Sequence, residues 1–234
     1  MGTLDFYDSD PERYVDRTFG ADMSESMGRF VRHLREGSRI LDLGSGSCRD
    51  TLAFRDMGFD AVPADASEGM RRVAWERLGV DVLPVEFSSM DLEGFDAVWA
   101  NASLLHVPSA ELPDVFSRVR SALSDGGVFY CSFKHGGFEG ERDGRHYTNM
   151  VPDVLEGLLR DSGFVPIELW VSEGSGFTWT NAVSRAGRRR PCHRTDHSVP
   201  KRIRISEVPI WSILSVSTTI VWFRPRFWSI SLKC

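Results

Sequence analysis

Long apolar runs are missing from this 234-residue chain. None reaches the roughly 20 residues that span a bilayer. The longest candidate, Ile210 to Phe223, is diluted by serines and threonines. The opening residues, MGTLDFYDSDPER, lack the basic patch and apolar core of a secretory signal, so a cytoplasmic chain with no membrane span is expected. Cysteine is scarce too. Cys48, Cys131, Cys192 and Cys234 form no CxxC pair, which fits reduced thiols better than a zinc knuckle or a disulfide framework. Cys192, His193 and His197 cluster without a second half-site, so no metal is expected. There is no internal repeat. What is present, 41% hydrophobic and 26% charged residues, excludes disorder and suffices for one domain with a substantial core.

Charge divides the chain. Residues 1–187 carry a net −13, whereas residues 188–234 carry a net +8. An acidic body repels phosphate backbones, so no nucleic-acid grip is expected from it. The tail opens on Arg188, Arg189 and Arg190 and ends in a β-prone, aromatic stretch. It reads either as an arm for an acidic partner, membrane surface or RNA, or as an appendage of no separate function. The boundary therefore falls between a 1–187 domain and a 188–234 tail of unknown role.

Within the body, short apolar strands alternate with amphipathic helices, the pattern of a parallel sheet covered on both faces. The strands predicted are 39–43, 61–64, 80–85, 95–100, 127–133, 165–171 and 177–183; the helices are 24–35, 49–57, 69–78, 109–123 and 152–162. Gly37, Gly58, Gly79, Gly126 and Gly163 fall where helices should stop. Ligands of such sheets sit beyond the carboxyl ends of the central strands.

The first of those ends reads Ile40-Leu41-Asp42-Leu43-Gly44-Ser45-Gly46. Glycines 44 and 46 let the backbone approach a ligand. The third glycine of a dinucleotide fingerprint is replaced by Arg49. Asp42 and Asp50 flank the turn, where negative charge opposes a pyrophosphate on the helix N-terminus. A cationic ligand without phosphate suits this loop better. Asp65 closes the next strand, where a carboxylate can accept both hydroxyls of a ribose or can cap the following helix, a task Ser67 could equally perform.

The strings ILDLGSGSCRD, VPADASEGM, FDAVWANASLLHVP and SFKHGGFEGERDGRHYTNM resemble a class I S-adenosylmethionine-dependent methyltransferase, more narrowly the small bacterial tellurite-resistance type. The resemblance covers about residues 4 to 185. It implies a Rossmann-like, doubly wound α/β fold, with a mostly parallel seven-stranded sheet whose last strand is antiparallel, and S-adenosylmethionine as cofactor. It places Asp42, Gly44 and Gly46 around the methionine part, Asp65 at the ribose, Glu86 and Phe87 beside the adenine, and Asn101 near the methionine ammonium, with Ser45 and Ala66 also in the cofactor site. Arg49 is either a partner for the methionine carboxylate or an exposed residue at a helix start. Cys48 stands where a glycine is commoner in the family.

Methyl transfer from a sulfonium is an in-line displacement with a neutral leaving group, so alignment and exclusion of water dominate. A base helps only if the nucleophile arrives protonated. His106 is the best-placed candidate, with the orientation of its own loop as its other reading. Arg142, Arg145, His146 and Tyr147 follow the fifth strand, either as a lid over a small anionic acceptor or as a solvated loop. The expected function is methyl transfer to a small molecule. A non-catalytic cofactor-binding or protein-interaction module and, less favoured, an NAD-dependent oxidoreductase are the alternatives.

Overall fold

The computed structural model describes residues 2–174 and 176–187. The basic tail, with its Cys192, His193 and His197 cluster and its Ile210 to Phe223 stretch, lies outside them. Two short helices, α1 (Thr3–Ser9) and α2 (Pro11–Thr18), precede α3 (Ser24–Val31). Then come β1 (Arg39–Leu43), α4 (Arg49–Asp56), β2 (Asp60–Asp65), α5 (Glu68–Leu78), β3 (Leu83–Pro84) and β4 (Phe95–Ala100). A 3-10 turn (Leu104–His106) leads to α6 (Leu112–Ala122) and β5 (Leu123–Lys134). The chain continues through β6 (Glu139–Arg142), β7 (Arg145–Thr148), α7 (Pro152–Asp161), β8 (Phe164–Gly174) and β9 (Phe177–Ala186).

Seven strands form one sheet in the order β3-β2-β1-β4-β5-β9-β8. Strands β3 to β5 pair in parallel, and β9 runs antiparallel to both its neighbours. The doubly wound sheet with its last strand reversed is therefore as expected. Side chains alternate across it. Leu41, Val98 and Phe129 enter one buried cluster, whereas Ile40, Trp99 and Tyr130 enter another on the opposite face. Central parallel strands are apolar on both sides because helices cover both. On the second face the Trp99 and Tyr130 rings stack with centroids 3.8 Å apart.

The helix ends follow local chemistry. Ser67 Oγ accepts the Met70 N–H at the start of α5 (3.1 Å), and Gly79 ends that helix at φ 64°, the left-handed turn that a residue without Cβ adopts most readily. The other joint glycines, 37, 58, 126 and 163, also take positive φ.

Several boundaries differ from the sequence reading. The strand expected at 80–85 is only Leu83–Pro84, since β3 is an edge strand and proline donates nothing to the ladder. The helix expected at 109–123 begins at Leu112 with Pro113 in its first turn, and Leu123 already belongs to β5. Helix α3 stops at Val31 instead of Arg35. Two features were not anticipated: the helix pair α1–α2, and a β6–β7 hairpin in what read as a loop. Among the described residues no helix is long and apolar enough to cross a membrane.

Candidate active site

The carboxyl ends of β1, β2, β4 and β5 meet at one edge of the sheet, around the reversal of strand order between β1 and β4. Two residues with side chains take left-handed backbone there: Cys48 (φ 58°) after β1 and Ala102 (φ 51°) after β4. Such conformations cost about 1–3 kcal/mol and gather where a loop has a task beyond connection.

The loop after β1 is pinned to the end of β2. The N–H groups of Gly44 and Ser45 both donate to the Ala64 carbonyl (2.8 and 3.0 Å). The Gly46 N–H donates to Asp65 Oδ2 (2.8 Å), while Asp65 Oδ1 accepts from the Ser67 N–H (2.9 Å). Ser67, not Asp65, caps α5 with its side chain. Asp65 is partly buried, and burial raises its pKa even though two N–H groups oppose the rise. Each of its oxygens keeps a lone pair, and further donors would favour the charged form.

The two glycines are not equivalent. A Cβ at Gly44 would lie 2.4 Å from Ser103 Cβ and 3.5 Å from Phe87 Cζ, and Ser103 Oγ donates to the Leu43 carbonyl (2.7 Å). Gly44 is thus demanded by the close approach of the loop after β4. At Gly46 the nearest atoms, Met70 Cε and Tyr14 Cε1, are 3.8 Å away. Phe87 is half-buried against the core beside Gly44, whereas Glu86 is exposed. The Ala66 carbonyl accepts from Arg71 (2.6 Å), and Ser45 is buried.

The carboxylates flanking the turn require a correction. Burial, and then the charge of Asp50, push Asp42 up to about 8, and it accepts from Thr51 Oγ1 (2.5 Å). Asp50 accepts from Arg49 Nε (2.7 Å), Trp99 Nε1 (2.9 Å) and Asn101 Nδ2 (3.0 Å). The charge of Asp50 is therefore met within the chain by Arg49, and Asp65 is the remaining carboxylate at these strand ends. Arg49 is not an exposed helix-start arginine, because its guanidinium also donates to the Thr18 carbonyl (2.9 Å). The Asn101 side chain is likewise engaged, its Oδ1 accepting from Ser132 Oγ (3.0 Å), which leaves its backbone for other contacts.

The other half of the crevice joins His106 and His146 to two residues that the sequence reading did not single out, Tyr7 and Tyr14. The Tyr7 hydroxyl lies 2.7 Å from His106 Nε2. His106 Nδ1 lies 2.7 Å from the His146 carbonyl, which only accepts, so Nδ1 carries the hydrogen and Nε2 takes the Tyr7 proton donor. Burial drives His106 down to about 4. Burial also holds the Tyr7 phenol well above its ordinary range, so it keeps its proton. The base expected at His106 is therefore corrected: it is a neutral ring with both nitrogens engaged and with little basicity. Tyr14 meets Tyr7 edge-on, with centroids 5.0 Å apart, so α1 and α2 roof the Gly46 loop.

The lid residues separate. Tyr147 is buried, its ring centroid 5.0 Å from that of His106, and the Arg145 guanidinium lies 4.0 Å over Phe6. His146 sends its carbonyl to His106, while its Nε2 pairs with Thr148 Oγ1 (3.1 Å). Arg142 is exposed and stacks on Phe138 at 4.4 Å. The span is an ordered hairpin, not a solvated loop, with Arg145 and Tyr147 inside the cluster and Arg142 at its surface. A sequence signal for the roof existed. Asp8, Glu12 and Asp16 recur every fourth residue and face α5, where Asp8 accepts from Ser67 Oγ (2.6 Å) and the Gly69 N–H (2.9 Å), Glu12 meets Arg72 (2.7 Å), and Asp16 meets Arg77 (2.6 Å).

Comparison with known proteins agrees with this arrangement. Residues 40–127 match a family model described as a methyltransferase domain. An uncharacterized methyltransferase of Staphylococcus carnosus (strain TM300) is 23% identical over 167 residues, 63% of this chain and 78% of that protein. The structure of Burkholderia thailandensis 1,6-didemethyltoxoflavin-N1-methyltransferase, with bound 1,6-didemethyltoxoflavin and S-adenosylhomocysteine, superposes with a TM-score of 0.64 at 21% identity, covering 79% of this chain and 85% of that one. The [4+2]-cyclase SpnF shares the fold as well, with a TM-score of 0.58 at 17% identity over 70% of this chain and 81% of that one. The sheet order is that of the fold these structures share, and from the first strand onward residues 40–127 match a methyltransferase domain.

Proposed function

We propose that residues 1–187 transfer a methyl group from S-adenosylmethionine to a small-molecule acceptor by in-line displacement. The observation that carries this reading is the Asp65 carboxylate, held by the Gly46 and Ser67 N–H groups yet still short of donors. Two vicinal hydroxyls supply what it lacks, and hydrogen bonds to an ionised acceptor are the stronger kind. When bound, the cofactor supplies an electrophilic methyl on a sulfonium.

The chain's residues supply the rest. Asp65, with Ala66 beside it, holds the ribose; the Gly44–Ser45–Gly46 backbone and that of Asn101 line the methionine side; Phe87 and Glu86 border the adenine. Asp42 and Arg49 act from within, by fixing Asp50 and the start of α4. Tyr14 and Tyr7 exclude water from above. His106 is a positioning residue: by accepting the Tyr7 hydroxyl it aims that group, and the acceptor meets Tyr7 and Tyr147 in place of a free imidazole. Neighbours that methylate small molecules support the acceptor class, whereas a cyclase on the same fold shows that fold alone does not name the reaction.

The test is calorimetry with S-adenosylhomocysteine. Asp65→Ala is expected to lose about 1.5–3 kcal/mol of binding, tenfold or more in Kd. Unchanged affinity would place the ribose elsewhere. Turnover on a metabolite panel separates an enzyme from a silent binding module.

A further inference from the structure

We infer that the methyl acceptor carries an anionic group, a carboxylate or a phosphate, and that Lys134 and Arg145 hold it beside the Tyr7–His106 pair. The inference rests on the methyltransferase reading above and gives that site its acceptor class, and it adds a residue, Lys134, to which the sequence reading gave no role.

Placement comes first. Lys134 is the last residue of β5, at the sheet edge where ligands sit. Its ammonium lies 4.3 Å over the Tyr147 ring and 3.8 Å over Phe177. The Arg145 guanidinium approaches the same Tyr147 ring at 5.2 Å, together with Phe6 at 4.0 Å and Tyr7 at 6.0 Å. The two cations and the Tyr7 hydroxyl thus gather around one aromatic ring that also packs on His106.

Neither cation is neutralised by a carboxylate, and Arg145 is left with a buried donor unmet. In a body with a net −13, Arg29, Arg49, Arg72, Arg77 and Arg160 each sit within 4.0 Å of a carboxylate. Among the described residues neither Lys134 nor Arg145 has such a partner. Arg145 Nε is moreover buried without a hydrogen-bond acceptor, a state that folded proteins rarely leave standing. The lysine is pushed down from its ordinary pKa by burial, and then by Arg145 and Arg142, with Asp143 opposing. Aromatic faces stabilise a cation without neutralising it, so both charges remain free to pair. A carboxylate or phosphate would take the orphaned Nε–H and relieve the crowding of like charges. It would also fix one end of the acceptor, so that the nucleophile at the other end points toward the cofactor side of the crevice.

The probes are inorganic phosphate and malonate, titrated by calorimetry at low salt into full-length protein saturated with S-adenosylhomocysteine. At least one anion is expected to bind. Lys134→Gln and Arg145→Gln should each weaken it about tenfold, with S-adenosylhomocysteine affinity unchanged. Arg160→Gln, on the far side of α7, should leave anion binding as it was. Phosphate alone, malonate alone, or both binding in this pattern identifies the favoured group. Should Arg145→Gln not fold, the accessible Lys134→Gln carries the test. The proposal is overturned if neither anion binds the loaded protein, if binding survives the substitutions, or if Arg160→Gln weakens it equally. Failure of S-adenosylhomocysteine to bind the unmodified protein at all would sink the underlying reading, and this one with it.

Discussion

The Tyr7 hydroxyl and His106 Nε2 lie 2.7 Å apart across 99 residues of sequence, and that bond joins the roof of the crevice to its floor. The direction of the bond is fixed from behind, because His106 spends its own N–H on the His146 carbonyl. A phenol that donates inward presents an oxygen, not a proton, to whatever lies next to it. Both nitrogens of His106 are therefore engaged within the chain.

Tyr7→Phe removes the donor and keeps the ring. With its lone pair freed, the neutral form of His106 loses a hydrogen bond, so its pKa should rise from about 4, which NMR titration reads directly. Turnover is expected to fall about tenfold or more through lost alignment, with S-adenosylhomocysteine affinity unchanged. A tyrosine that serves packing alone would move neither the titration nor kcat.

Asp42 and His106 act on stability with opposite signs. Asp42 has a folded pKa of about 8 against an ordinary 3.8, so the native state holds the extra proton and stability falls as pH rises through that window. His106, at about 4 against 6.5, holds fewer protons when folded, and its contribution is lost as pH falls from 6.5 toward 4. Between those values the two oppose each other, whereas from 6.5 to 8 Asp42 acts without that opposition. Asp42→Asn should flatten the fall in Tm on the alkaline side; a variant as steep as the parent would mean that Asp42 is charged in the folded protein.

Alanine at the two crevice glycines should separate steric from conformational cost. Gly46→Ala meets nothing closer than 3.8 Å and bears only its left-handed φ of 50°, about 1–2 kcal/mol. Gly44→Ala also puts a Cβ only 2.4 Å from Ser103 Cβ, about 1–3 kcal/mol more. Urea unfolding measures both, and Ser103→Gly should recover part of the second loss but none of the first.

The roof is held to α5 by contacts of unequal value. Glu12–Arg72 and Asp16–Arg77 are exposed pairs, and Glu12→Gln is expected to leave stability almost unchanged. Asp8→Ala removes the acceptor of both Ser67 Oγ and the Gly69 N–H. It should speed proteolytic cleavage within residues 3–18 while leaving the Tm of the sheet almost unaltered.

The frame of the fold was readable because strand and helix periods differ and because glycines marked the joints. Asp65 stood out for the same reason, as the polar residue at the end of an apolar strand. Other features were not readable because they are tertiary. Whether Asp42 is charged depends on Asp50 lying next to it in space, and the basicity of His106 depends on Tyr7 and on burial. Lys134, one residue past the strand expected at 127–133, drew no reading in the sequence, because only the folded hairpin brings Arg145 toward the same ring. The acidic spacing of Asp8, Glu12 and Asp16 was in plain view, but it acquires meaning only opposite Arg72 and Arg77.

Because the roof is made from the earliest residues of this chain while its anchors arrive much later, the order of synthesis reverses the order of completion. Thr3 waits for the His146 N–H, 143 positions downstream, and Tyr7 waits for His106. Helices of seven and eight residues are too short to persist alone in water. During translation they emerge as loose chain, and the pocket closes only once the hairpin has formed. A bulky fusion ahead of Thr3 would accordingly spare the sheet and disturb the Tyr7–His106 contact.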